Sequence, residues 1–188
     1  MKGDGYLLNV ISTILDELRS VCNNISKDEY ESLVSLFNGN HTFYFAGEGR
    51  SGLVAKAIAM RLMHAGKKVY VVGETITPAI ERNDVLILVS GSGETNQIAH
   101  LGKLASKKGA YVFLVTSNKN AINQQWCMNG LHIPAATKRR LPDEPKTIQP
   151  LGNQFDQSAH IILDAAVIES LQSNNIMDRM VKKHSNLE

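Results

Sequence analysis

Five short apolar runs, at 42–46, 68–72, 85–90, 110–116 and 130–133, alternate with stretches of helical length and composition, and this alternation constrains the chain more than any other feature. The runs do not alternate polar with apolar residues, so each predicts a strand buried on both faces, as in a parallel sheet. Helical stretches lie between them, at 51–65 and 94–108. Strand and helix in turn predict a doubly wound α/β fold, a three-layer α/β/α sandwich with a five-stranded parallel sheet. Sheets of that kind bind ligands beyond the carboxyl ends of their strands.

Ahead of the first run, Leu7, Leu8, Ile11, Ile14, Leu15, Leu18 and Val21 recur at helical spacing, with Asp16, Glu17 and Arg19 between them. They predict an amphipathic helix whose apolar stripe must pack on something. Ser26 followed by Asp28 and Glu29 predicts the capped start of a second helix, which Gly39 ends. Pro134, Pro142, Pro145 and Pro150, set among Lys138, Arg139, Arg140, Asp143 and Glu144, make 134–150 read as a surface loop. A last helix is expected over 154–171, followed by a loosely held polar tail from Ser173. With 43% hydrophobic and 20% charged residues in 188, the chain suits a single domain. That domain divides into N-terminal helices over 1–38, an α/β core with the last helix over 39–172, and a tail over 173–188.

Several function classes drop out early. A net charge of +2, with no basic cluster interleaved with aromatics, lacks the electrostatic footprint of a nucleic-acid binder. Two cysteines, Cys22 and Cys127, are too few for a disulfide framework or zinc knuckle and suit a reducing compartment. The N-terminus has no basic stretch followed by an apolar block, and no apolar run reaches membrane length, so the expected location is the cytoplasm, with no membrane partner.

Chemistry concentrates in two loops. Gly47-Glu48-Gly49-Arg50-Ser51-Gly52 follows a strand and opens a helix, where glycines let backbone amides approach an anion and the helix terminus adds positive field. Alone, it also fits a nicotinamide dinucleotide, with Glu74 placed for a ribose hydroxyl. Ser90-Gly91-Ser92-Gly93-Glu94-Thr95 repeats the strand-loop-helix arrangement with three hydroxyls able to donate to phosphate oxygens. Two anion loops on one sheet edge suit a monophosphate better than a dinucleotide. The plainer alternative is that these hydroxyls only cap a helix in a glycine turn. Asp156, His160 and Asp164 share a helical face at metal-ligand spacing, although an ordinary polar stripe accounts for them.

The wording of the loops carries further. GEGRSGLVAKAIAMRLMHAG at 47–66, VYVVGETITPAI at 69–80, SGSGET at 90–95, IPAATK at 133–138 and KTIQPLG at 146–152 together resemble the sugar isomerase (SIS) domain family, and within it the 6-phospho-3-hexuloisomerases. The resemblance implies interconversion of D-arabino-hex-3-ulose 6-phosphate and D-fructose 6-phosphate, a step of ribulose monophosphate formaldehyde fixation, with no cofactor and no metal. It places substrate-phosphate contacts at Ser51 and at the loop of Ser90, Gly91, Ser92, Gly93, Glu94 and Thr95, with Gly49 and Arg50 beside them. It places the catalytic carboxylate at Asp156, where the family carries glutamate, so this chain's base is one methylene shorter. His64 matches a family histidine and is the expected polar partner, across a subunit boundary in a homo-oligomer, usually a tetramer. As a plain residue it is a helix-ending histidine favoured by the dipole. Glu48 is an alternative base. A non-catalytic sugar-phosphate sensor and an isomerase of another phosphosugar are the rival functions.

Overall fold

The computed structural model describes residues 4–171 and 176–187. Its element order is α1 (Asp4–Asn23), α2 (Lys27–Asn38), β1 (Thr42–Gly47), α3 (Gly49–His64), β2 (Lys68–Val71), β3 (Val85–Val89), α4 (Asn96–Lys107), β4 (Tyr111–Thr116), α5 (Lys119–Ile122), β5 (Asn129–His132), α6 (Asn153–Ser170) and α7 (Ile176–Lys183). Each apolar run became a strand. All five pair in parallel in the order β2-β1-β3-β4-β5, with Phe43 of β1 beside Val69 on one side and Val85 on the other. The three-layer sandwich stands.

Side chains alternate across the sheet and build two cores. Phe43, Phe45, Ile87, Phe113 and Val115, all fully buried, face α2, α3 and α6. Tyr44, Leu86, Leu88, Val112 and Leu114 face α4 and Trp126. The Trp126 indole packs against Gly102, where an added Cβ would come within 2.2 Å of the ring. The helix ends follow local chemistry. Ser26 Oγ accepts from Glu29 N (3.4 Å), while the Gly39 amide donates to the Ser35 and Leu36 carbonyls at the close of α2. Among the described residues, no helix is long and apolar enough to cross a membrane.

Three expectations are refined. On α1 the stripe divides: Leu18 and Val21 are buried, whereas Leu8, Ile11 and Leu15 stand exposed. The side chain of Leu7 lies outside the described residues. The expected surface loop over 134–150 is exposed only in part, because Ala135, Ala136, Thr137 and Gln149 are buried. The Ala136 amide donates to Gln154 Oε1 (2.7 Å), and Thr137 bonds Glu144 through its amide (2.9 Å) and hydroxyl (2.6 Å). The tail forms α7, after which the His184 ring stacks on His64 at 5.2 Å. Residues 173–175 and 188 of that tail lie outside the described residues.

Candidate active site

Strand order reverses between β1 and β3, and the two glycine loops leave the carboxyl ends of these two strands. This is the topological switch point, where the backbone diverges and leaves a crevice. The crevice has a volume of about 380 Å³ and is walled by both loops, the segment after β5 and the first turn of α6. Close backbone approach makes it possible. An added Cβ on Gly52 would lie 2.5 Å from the Gly47 carbonyl, so α3 can start hard against the end of β1 only with glycine there.

Asp156 sits in the first turn of α6, 7% exposed. Arg50 Nε donates to its Oδ2 (3.0 Å) and Ser51 Oγ to its Oδ1 (3.0 Å). The carboxylate is therefore aimed by two donors from the first glycine loop, and Asp156 lines the cleft. The hydroxyl of Ser51, expected to face a phosphate, is engaged with Asp156. Glu48 also borders the cleft but is exposed.

In the second loop, Ser90 Oγ accepts from the Gly93 amide (3.1 Å) and Ser92 Oγ from the Glu94 amide (3.4 Å). A hydroxyl that accepts from backbone keeps its own proton to donate. Thr95 is the N-cap residue of α4, yet its hydroxyl makes no capping bond. The plain capping role is not what Thr95 performs. Ser90, Gly91, Ser92 and Thr95 line the cleft, as do Gly49, Arg50 and Ser51. Gly93 and Glu94 do not. Gly93 has φ +65°, and a Cβ there would strike Ala121 and Thr116, so it shapes the loop from behind. The Glu94 carboxylate accepts from Asn118 Nδ2 (3.1 Å) and from Arg139 Nη1 (2.8 Å), tying the segment after β5 to this loop.

His64 does not reach the cleft within one chain. It ends the helix whose first turn holds Ser51, about 20 Å away by helical rise. There it is buried against His184 and Arg61, and burial, with those two charges adding to it, holds its pKa below the ordinary histidine value. Along the polar stripe, Asp164 pairs with Arg61 (2.9 Å) and Asp156 with Arg50. Glu74, the candidate partner of a ribose hydroxyl, pairs with Lys56 (2.8 Å).

Sequence reasoning missed Thr137, Lys138 and Arg139, which close the cleft on the β5 side. Proline-rich polar composition hid them. The signal that could have found them is the apolar continuation Ile133-Pro134-Ala135-Ala136, which carries the chain inward past the end of β5. Lys138 makes no ion pair or hydrogen bond among the described residues.

A family model described as SIS domain matches residues 36–142. The 3-hexulose-6-phosphate isomerase of Bacillus subtilis is 34% identical over 180 residues, covering 95% of this chain and 97% of its own. The 3-hexulose-6-phosphate isomerase of Methanocaldococcus jannaschii is 32% identical over 185 residues, covering 92% and 98%. A crystal structure of a Methanococcus jannaschii protein, described as inferring a molecular function of 3-hexulose-6-phosphate isomerase, superposes with a TM-score of 0.77 at 29% identity, covering 97% and 99%.

Proposed function

The chain belongs to the SIS domain family, and on that premise we propose that it is a 3-hexulose-6-phosphate isomerase, interconverting D-arabino-hex-3-ulose 6-phosphate and D-fructose 6-phosphate. One observation carries the chemistry: a buried carboxylate, Asp156, oriented by two donors beside a loop of hydroxyls and glycine amides. Ser90, Ser92 and Thr95, with the start of α4, receive the phosphate. With the phosphate held there, the carbinol carbon next to the ketone comes to Asp156, which removes its proton. The electron pair forms the double bond of an enediolate, whose negative charge rests on the former carbonyl oxygen. The proton returns to the former carbonyl carbon, the enediolate oxygens exchange their proton, and the carbonyl has moved by one position. Purified protein incubated separately with hexulose 6-phosphate and arabinose 5-phosphate, with product identification, tests the reading. It requires fructose 6-phosphate from the first, and turnover of the second alone would replace it.

Lys138 supplies the positive charge that the hydroxyl loop lacks, since Arg50 and Arg139 are already paired. Lys138→Ala is expected to weaken fructose 6-phosphate binding about 10-fold, the low end for a charge-assisted contact because solvent reaches this side chain. Turnover should hardly change, since the phosphate is remote from the reacting carbons. Calorimetric titration and steady-state kinetics read the two quantities apart.

Exposed Leu8, Ile11 and Leu15 on α1 form an apolar face suited to a second copy, and association is what the cross-subunit role of His64 requires. A homotetramer is the assembly proposed, and light scattering at micromolar concentration should give a mass well above 20.7 kDa. Cys22 and Cys127 are free thiols, which suits the cytoplasm.

A further inference from the structure

Arg50 orients Asp156, yet its side chain is 60% exposed, and a solvated arginine held by one contact would swing freely. Its second contact is the informative one. Arg50 Nη2 donates to Asn153 Oδ1, Asn153 Nδ2 donates to Gln149 Oε1 (2.8 Å), and Gln149 Nε2 donates to Glu17 Oε2 (2.9 Å). The line runs from a guanidinium, through two side-chain amides, to a carboxylate on α1. A terminal carboxylate can only accept and a terminal guanidinium can only donate, so the two charges together fix which way both amides face. Gln149 is 2% exposed, so solvent has almost no access to that end of the line, while Asn153 is half-buried.

Glu17 is held as firmly as it holds. Ile148 N donates to its Oε1 (2.8 Å) and Thr147 Oγ1 to its Oε2 (2.5 Å). Burial by itself raises the pKa of this carboxyl, but the bonds from Thr147, Gln149 and Ile148, with the charge of Arg140, bring it below the ordinary value. Arg140 adds a clamp, donating to the Thr137 and Gln149 carbonyls (3.0 and 2.5 Å).

We propose that Glu17 is a positioning residue for the reaction: through Gln149 and Asn153 it fixes Arg50, and through Arg50 the carboxylate of Asp156. This deepens the isomerase reading and rests on it. It also makes α1 part of the catalytic apparatus, because the helix that bears the exposed apolar face bears the anchor of the line.

Glu17→Gln keeps size and removes the obligate acceptor. Gln149 then loses the partner that orients it, the amides can reverse, and Asn153 can turn its NH₂ toward Arg50. The expected result is a 10-fold to 100-fold fall in kcat on hexulose 6-phosphate with fructose 6-phosphate affinity within about 3-fold, since misplacing a reacting group by about 1 Å can cost that much. In ¹H–¹⁵N spectra of the whole protein, the Arg50 Nε–H resonance should shift or broaden. A parental kcat overturns the proposal, and so does a fall in kcat with that resonance unmoved, which marks a merely structural loss. Wild type inactive on hexulose 6-phosphate would defeat the isomerase reading instead, and the resonance would still decide whether Glu17 sets Arg50.

Discussion

Asp156→Asn should lower turnover of hexulose 6-phosphate by about 100-fold to 10,000-fold, the range expected when a general base is lost, while leaving the fold and the phosphate contacts in place. The amide is isosteric with the carboxylate. Its oxygen can still accept from Arg50 Nε, and its NH₂ can donate to Ser51 Oγ once that hydroxyl rotates, so the loop geometry survives. What it lacks is basicity. Steady-state kinetics with calorimetric titration of fructose 6-phosphate checks the two halves separately. Asp156→Glu keeps a basic carboxylate at the same backbone position and should turn over far faster than the amide. If Asp156→Asn works at the parental rate, the base lies elsewhere and Glu48, on the same cleft, is next to be tested.

Phe155→Ala should cost about 3–5 kcal/mol of stability, as for other large aromatic truncations in a packed core. The residue is 1% exposed in the first turn of α6, and its ring edge lies 3.2 Å from where a Cβ on Gly91 would stand. For a chain of this length such a loss lowers Tm by roughly 6 to 20 °C. It should also slow turnover well below the melting range, because the ring supports both the Asp156 turn and the hydroxyl loop. Phe113→Ala offers the contrast, a fully buried ring of β4 away from the cleft, with a similar stability cost and near-parental kcat on the folded protein. Denaturant titration beside kinetics at 20 °C separates the pair, and equal kcat for the two variants would remove Phe155 from any role in the site.

The strands were legible because a parallel sheet buries both faces, which leaves no polar positions to disguise the pattern, and Val85–Val89 shows this in its purest form. The two loops were legible because glycine is obligatory where Gly47 and Gly52 meet and where Gly93 takes a positive φ. What stayed hidden is held by single polar contacts between distant residues. Ile148 and Glu17 are 131 residues apart, and no periodicity reports that a carboxylate on α1 will stand under the loop before α6. The hydrogen bonds that hold the segment after β5, from the Ala136 amide to Gln154 and from Thr137 to Glu144, are likewise invisible in the local sequence pattern. The place of His64 at the far end of α3 was legible in the sequence, whereas its stacking on His184 of the tail was not.

Proton NMR of fructose 6-phosphate in D₂O with wild-type protein tests the central claim most directly. Moving a carbonyl between the second and third carbons breaks the C–H bond at carbon 3 of fructose 6-phosphate. The account therefore predicts deuterium at carbon 3 together with the signals of the 3-ulose, and neither with Asp156→Asn on the same timescale. Deuterium at carbon 1, the mark of an aldose–ketose isomerase, or a substrate spectrum that never changes, would contradict it.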